Sequence, residues 1–134
     1  MFEPLRAHAH APASGAGWPR LADLQRMLDA RHPPARNAGG MLLRLVPQGR
    51  KPVSLEEKYE ARLFLKGELQ FREDDWHDYF NVLVWLTFPG AKAALNARHY
   101  AALREQVAAR APNRGPAQDA LTLFDEGGVI VAAD

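Results

Sequence analysis

Apolar residues recur along this chain with periods that change from segment to segment. Leu21, Leu24 and Leu28 are spaced for one face of a helix that opens near Pro19 and stops at His32-Pro33-Pro34. After a turn over 37–40, residues 41–46 form a compact apolar run of strand length, closed by Pro47 and Gly49. Ser54 and Glu57 have capping-box spacing, which predicts a brief helical turn before Tyr59. Tyr59, Ala61, Leu63 and Leu65 then alternate with Glu60 and Arg62, and Lys66-Gly67 leads into 68–71, the pattern of a β-hairpin. Asp74 and Asp75 suit a helix N-terminus, and a helix is predicted over 75–88, stopped by Pro89-Gly90. The alanine-rich stretch 91–110 predicts a second helix, ending near Pro112. Residues 119–124 and 129–133, flanking Asp125-Glu126-Gly127-Gly128, read as strand, turn and strand.

These elements predict an α+β fold in which a small antiparallel or mixed sheet packs against a central helical hairpin and a short N-terminal helix. The chain is expected to form a single domain over 1–134. Residues 1–17 form a loose arm, because 6–17 are mostly Ala, Gly, Ser, Pro and His, and 18–134 form the compact part.

The polar exceptions to the apolar pattern carry the functional signal. Around the helix at 75–88, Trp76, Tyr79, Phe80, Leu83 and Leu86 make one broad face, and Val82, Val84 and Trp85 cover most of the rest. Such a helix is expected to be buried nearly all round, so the strip of His77 and Asn81, with Asp78 further round, is expected to point into protein. On the next helix Lys92, Asn96 and His99 lie inside the apolar arc of Leu95, Tyr100, Ala102, Leu103 and Val107. An unpaired buried polar group costs about 1–3 kcal/mol, so five of them must be paired, solvated or ligand-bound. A tight hairpin in which His77 and Asn81 face Lys92, Asn96 and His99 across one polar pocket is the simplest solution.

Composition narrows the chemistry. With 47% hydrophobic and 25% charged residues among 134, the chain has the make-up of a globular domain. A net charge of +1, from 17 basic and 16 acidic side chains, supplies no strong signal for nucleic acid or anionic lipid. Without cysteine there are no disulfides, thiolate zinc sites or cysteine nucleophiles. The N-terminus lacks a signal-like apolar core and the run 82–86 is too short to span a bilayer, so no membrane association and a cytoplasmic location are expected. No H-E-x-x-H, G-x-S-x-G, phosphate-binding glycine loop or dinucleotide fingerprint occurs.

The candidate catalytic residues are therefore His77, Asp78, Asn81, Lys92, Asn96 and His99, with histidine as base and a carboxylate to orient it. A divalent metal is the one cofactor the residue types suggest. His77, His99 and Asp119 form the candidate ligand set, suited to zinc, iron or manganese, whereas Asp125 and Glu126 read first as turn residues. His8 and His10 are expected to be solvated in the arm, and His32 to end a helix.

The residues from Tyr59-Glu60 through His99 resemble an uncharacterised bacterial family known only as domain of unknown function 3025. Its hallmark W-H-D-x-F-N, L-V-W-L, F-P, K and A-L-N-x-x-H is matched by Trp76-His77-Asp78, Phe80-Asn81, Leu83 to Leu86, Phe88-Pro89, Lys92, Ala94-Leu95-Asn96 and His99. Asp119 through Glu126 resembles the family's D-A-L-T-x-F-D-E segment. Phe71-Arg72 stands where the family commonly has T-R, and Asp75 where it has N. The family usually continues past this last strand, so the resemblance implies a short member or a fragment. It implies nothing about activity.

Two readings from different classes follow. In the first, slightly favoured on base rates, the chain is a non-catalytic binding or scaffold module whose polar residues form a network fixing helix packing, while surface aromatics such as Trp18 meet a partner. In the second it is a metal-assisted hydrolase, in which a hairpin followed by a His- and Asn-bearing helix is similar to the ββα arrangement of some metal-dependent nucleases. No histidine ends the preceding strands, where those enzymes keep their base.

Overall fold

A computed structural model of the chain describes residues 3–9, 18–111 and 113–127. Six helices and two strands occur among them: α1 (Glu3–Ala9), α2 (Leu21–Ala30), β1 (Arg44–Pro47), α3 (Tyr59–Lys66), β2 (Glu68–Phe71), α4 (Trp76–Thr87), α5 (Pro89–Ala108) and α6 (Pro116–Gly127). The fold is α+β. Its sheet is parallel, with Leu45 beside Leu69 and Pro47 beside Phe71, and not antiparallel or mixed.

That difference has a local cause. Two parallel strands need a crossover between them, and the segment predicted to be the first strand of a hairpin is instead α3. Over so short a stretch the alternating pattern of 59–65 also fits a helix, and Glu, Ala, Arg, Leu and Lys are strong helix formers. Leu65, which strand alternation would bury with Leu63, is 41% exposed. Lys66-Gly67 ends the helix rather than turning a hairpin: Gly67 takes the left-handed conformation (φ 69°), and its N–H donates to the Leu63 carbonyl. A side chain at Gly67 is barred twice, by that φ and by the Leu42 carbonyl oxygen 2.2 Å from where a Cβ would stand.

Two further expectations change. Residues 119–124, predicted as a strand, lie in α6, which Pro116 opens and Ala, Gln and Leu sustain; the strand predicted over 129–133 lies outside the described residues. Part of the supposed loose arm is also ordered, because α1 lays Leu5 into the core beside α4. The rest of that arm, His10 included, lies outside the described residues, and His8 is half-buried on α1. Residues 55–58 form a hydrogen-bonded turn, with Lys58 N–H donating to the Leu55 carbonyl.

The core joins Leu24 and Leu28 of α2, Leu45 of β1, Leu63 of α3, Leu69 and Phe71 of β2, and Val82, Leu83, Trp85 and Leu86 of α4. Asn37 is buried and ties the turn before β1 to α3, its Nδ2 donating to the Leu63 and Phe64 carbonyls at 2.8 and 2.7 Å. The helical hairpin is tighter than predicted: Phe88 alone breaks the helices, and Pro89, read as a stop, is the first residue of α5. α4 is not buried all round either, since Trp76 is 62% exposed and lies against the edge of Trp18, with ring centroids 4.5 Å apart.

Candidate functional site

A polar layer runs between α3, α4, α5 and α6, and it is organised by α3. Tyr59 and Glu60, adjacent in sequence, both turn inward from its first turn. Tyr59 accepts a hydrogen bond at its hydroxyl from Asn81 Nδ2 of α4 at 2.8 Å. Glu60 accepts at Oε2 from Asn96 Nδ2 of α5 at 2.7 Å, and the same Asn96 nitrogen donates to the Glu60 carbonyl at 3.1 Å. Asn81 and Asn96 therefore do not pair with each other across the hairpin. Each bonds to a neighbouring residue of the helix wedged beside them.

The third member of the α5 row is satisfied from the other side. Lys92, 8% exposed, donates from Nζ to both carboxylate oxygens of Asp125 at 2.6 and 2.8 Å, which docks α6 against α5. α6 is otherwise held by polar contacts. Its buried residue, Gln118, donates to Gln106 Oε1 of α5 at 3.2 Å, and Arg114, just before α6, donates forward to the Gln118 carbonyl at 3.2 Å and to the Thr122 hydroxyl.

His99 is 7% exposed, and no hydrogen bond to its ring occurs among the described residues. It lies on the wall of a cleft of about 750 Å³, lined also by Tyr59, Glu60, Arg72, His77, Asn81 and Asp125. Behind that cleft is a hollow of about 10 Å³, which shares Tyr59, Glu60, His99 and Asp125 with it and adds Lys92 and Asn96.

Electrostatics divide the layer in two. Burial pushes the Glu60 carboxyl above the ordinary value of 4.5, against the opposing effects of the Asn96 bond, His99 and Lys92. Burial, reinforced by Glu60, raises the Tyr59 phenol far enough that it stays protonated. At the outer rim the balance is reversed. Burial raises the Asp78 carboxyl, but bonds from Arg72 and His77 outweigh it and hold the group below its ordinary 3.8. Arg72 donates from its backbone N–H and Nε to Asp78 Oδ2 at 2.9 and 2.8 Å and from a terminal nitrogen to Oδ1 at 3.0 Å.

The predicted residues thus reach two places. Asn81, Lys92, Asn96 and His99 belong to the inner layer, while Asp78 and His77 form the rim; the His77 side chain is 65% exposed, not inward-facing. His77 Nδ1 lies 3.1 Å from Asp78 Oδ1. The proposed ligand trio of His77, His99 and Asp119 is not assembled. The Asp119 side chain is 67% exposed, 3.6 Å from Arg114, and it does not line the cleft. The grouping of potential ligand atoms found among the described residues is Asp75, His77 and Asp78, within 4.8 Å of one another. Asp75 has a structural duty there, because its Oδ1 caps α4 by accepting from Asp78 N–H at 3.0 Å. His32, at the end of α2, is exposed.

Sequence reasoning passed over Tyr59, Glu60, Arg72 and Gln118 and discounted Asp125 as a turn residue. Strand alternation over 59–65 puts Glu60 with Arg62 on the face opposite Tyr59, whereas on α3 Tyr59 and Glu60 both reach the layer. The one signal for Glu60 was that the family resemblance starts at Tyr59-Glu60, before the helix that carries W-H-D.

No helix among the described residues is long and apolar enough to cross a membrane. No curated protein and no solved structure matches the chain. The profile of one family does match it, over residues 43–134, a span that takes in β1, α3, α4, α5 and α6 and hence every element of the cleft. The chain therefore belongs to the family described as protein of unknown function (DUF3025).

Proposed function

We propose that the chain is a small-molecule binding module, a single domain working in the cytoplasm, whose inner polar layer fixes the helices and whose outer cleft takes a polar ligand. The observation that supports this most is the contrast between the two. Lys92, Asn96, Asn81 and Tyr59 are already engaged with protein partners, whereas the cleft in front of them is open and retains polar side chains from several elements. Closed inner bonds suit packing and preorganisation, and an open polar wall suits recognition. Screening the full-length ¹⁵N-labelled protein against a library of small polar compounds tests the proposal. Compounds that bind should shift resonances of His77, Asn81 and Gln118 together, and Asn81→Ala should weaken them. Shifts confined to the α1 and α2 side of the molecule would refute it.

A metal-assisted reading is favoured by one observation, the closeness of Asp75, His77 and Asp78. Against it, Arg72 already occupies both oxygens of Asp78 with charge-assisted bonds, and a cation there would have to displace the guanidinium. Titration with manganese, followed by paramagnetic broadening of the Asp75 and Asp78 backbone amides, separates the readings: site-specific broadening lost in His77→Ala supports metal, and uniform weak broadening excludes it.

A further inference from the structure

The small hollow behind the cleft has an unusual donor and acceptor balance. Its cation, Lys92, is closed off by two short bonds to Asp125, so no free positive group remains on Lys92 for an anion. What remains open is acceptors and one neutral donor, the buried Trp85 Nε1–H, which has no partner either. Asn96 Oδ1 is buried without a hydrogen-bond partner, although Asn96 itself is only 3% exposed. The bond from Asn96 reaches Glu60 at Oε2, and no hydrogen bond to Glu60 Oε1 occurs among the described residues. The His99 ring, equally without a bond and more than nine-tenths buried, adds a nitrogen that can accept.

A buried unpaired acceptor calls for a donor, and a buried carboxylate whose neighbouring cation, Lys92, is committed to Asp125 calls for a positive one. Size limits the donor further. About 10 Å³ is room for one water-sized group, which a primary ammonium matches and a quaternary ammonium exceeds. The body of such a ligand would extend past Tyr59 and His99 into the cleft of about 750 Å³, which shares those walls.

We infer that Glu60, Asn96 and His99 form a subsite for a primary ammonium group, so that the ligand of this cleft is a small amine held head-first in the hollow. This rests on the proposal that the cleft binds a small molecule, and it adds the chemical class and the orientation. Glu60 supplies the counter-charge, Asn96 Oδ1 and the His99 ring take the remaining N–H groups, and Lys92 with Asp125 holds the back wall neutral.

The experiment uses the full-length protein, uniformly labelled, titrated with n-butylammonium, with tetramethylammonium as a cation lacking N–H donors and with butyrate as an anion. The expected result is saturable shifts of the Asn96 side-chain amide and the His99 ring with n-butylammonium alone. In Glu60→Gln, which keeps the shape and an acceptor for Asn96, the affinity should fall by about tenfold or more. Equal responses to tetramethylammonium, no response of Asn96 and His99 to n-butylammonium, or undiminished affinity in Glu60→Gln would overturn the inference. Should Glu60→Gln not fold, the contrast between the two cations on the wild-type protein decides alone. If library compounds move His77, Asn81 and Gln118 while n-butylammonium leaves Asn96 and His99 unmoved, the amine subsite fails and the binding cleft stands.

Discussion

On α5, the polar row of Lys92, Asn96 and His99 is buried, at 8%, 3% and 7% exposure, beneath α3 and α6. On α4, the strip of His77 and Asn81 has the same look in sequence, yet Asn81 reaches α3 while His77 stands 65% exposed at the rim. The two rows differ in what covers them. Helical spacing assigns residues to a common face, and a separate element decides whether that face meets protein or water. The α5 row is covered by helices from both sides of it in the chain. The start of α4 borders the open cleft, and there His77 lies against the Arg72 and Asp78 ion pair.

Energetic consequences should follow the same division. The largest effect is expected for Asp125→Ala, which strands the Lys92 ammonium without a partner; partial access of Asp125 to solvent moderates the loss to about 3 kcal/mol. Chemical denaturation measures it, and a loss below that of a surface mutant would place Lys92 outside the inner layer. Next comes Asn96→Leu, which removes the bonds to Glu60 and leaves a buried carboxylate less satisfied, for a loss of about 2 kcal/mol. A thermal melt unchanged from wild type would dissolve the contrast between the rows.

The pH dependence separates the layers by sign. The folded-state pKa of Glu60 is raised, so the folded chain holds that proton more tightly; its contribution to stability is complete below the unfolded value near 4.5 and is lost as pH rises through the folded value. Glu60→Gln should therefore gain stability relative to wild type as pH climbs from acid toward neutrality. The Asp78 value is lowered, so its contribution is present above the unfolded value near 3.8 and is lost as pH falls through the folded one. Asp78→Asn should accordingly be less stable than wild type at neutral pH and converge on it in acid. Unfolding curves across that range test both signs, and parallel pH profiles for the two variants would mean that layer and rim share one environment.

The smallest effect is expected at His77. Because its side chain is largely exposed, His77→Ala should change stability by less than about 0.5 kcal/mol. A loss comparable with that of Asn96→Leu would show that the rim is as structural as the inner layer.

Local signals in the sequence determined α2, α4 and α5, the strand state of 44–46, the cap at Asp75 and the inward placement of Lys92, Asn96 and His99. Each depends on interactions within a few residues, where periodicity over several turns leaves one answer. The helical state of 59–66 and 116–127 was decided by tertiary structure, because short apolar alternations fit a strand and a helix alike until a neighbour buries one face. So was the partnership of every polar group in the layer. Asn81 finds Tyr59, Asn96 finds Glu60 and Lys92 finds Asp125, with 22 to 36 residues between partners. Spacing within one helix carries no information about which distant segment will meet it, since that choice follows from packing the whole core at once.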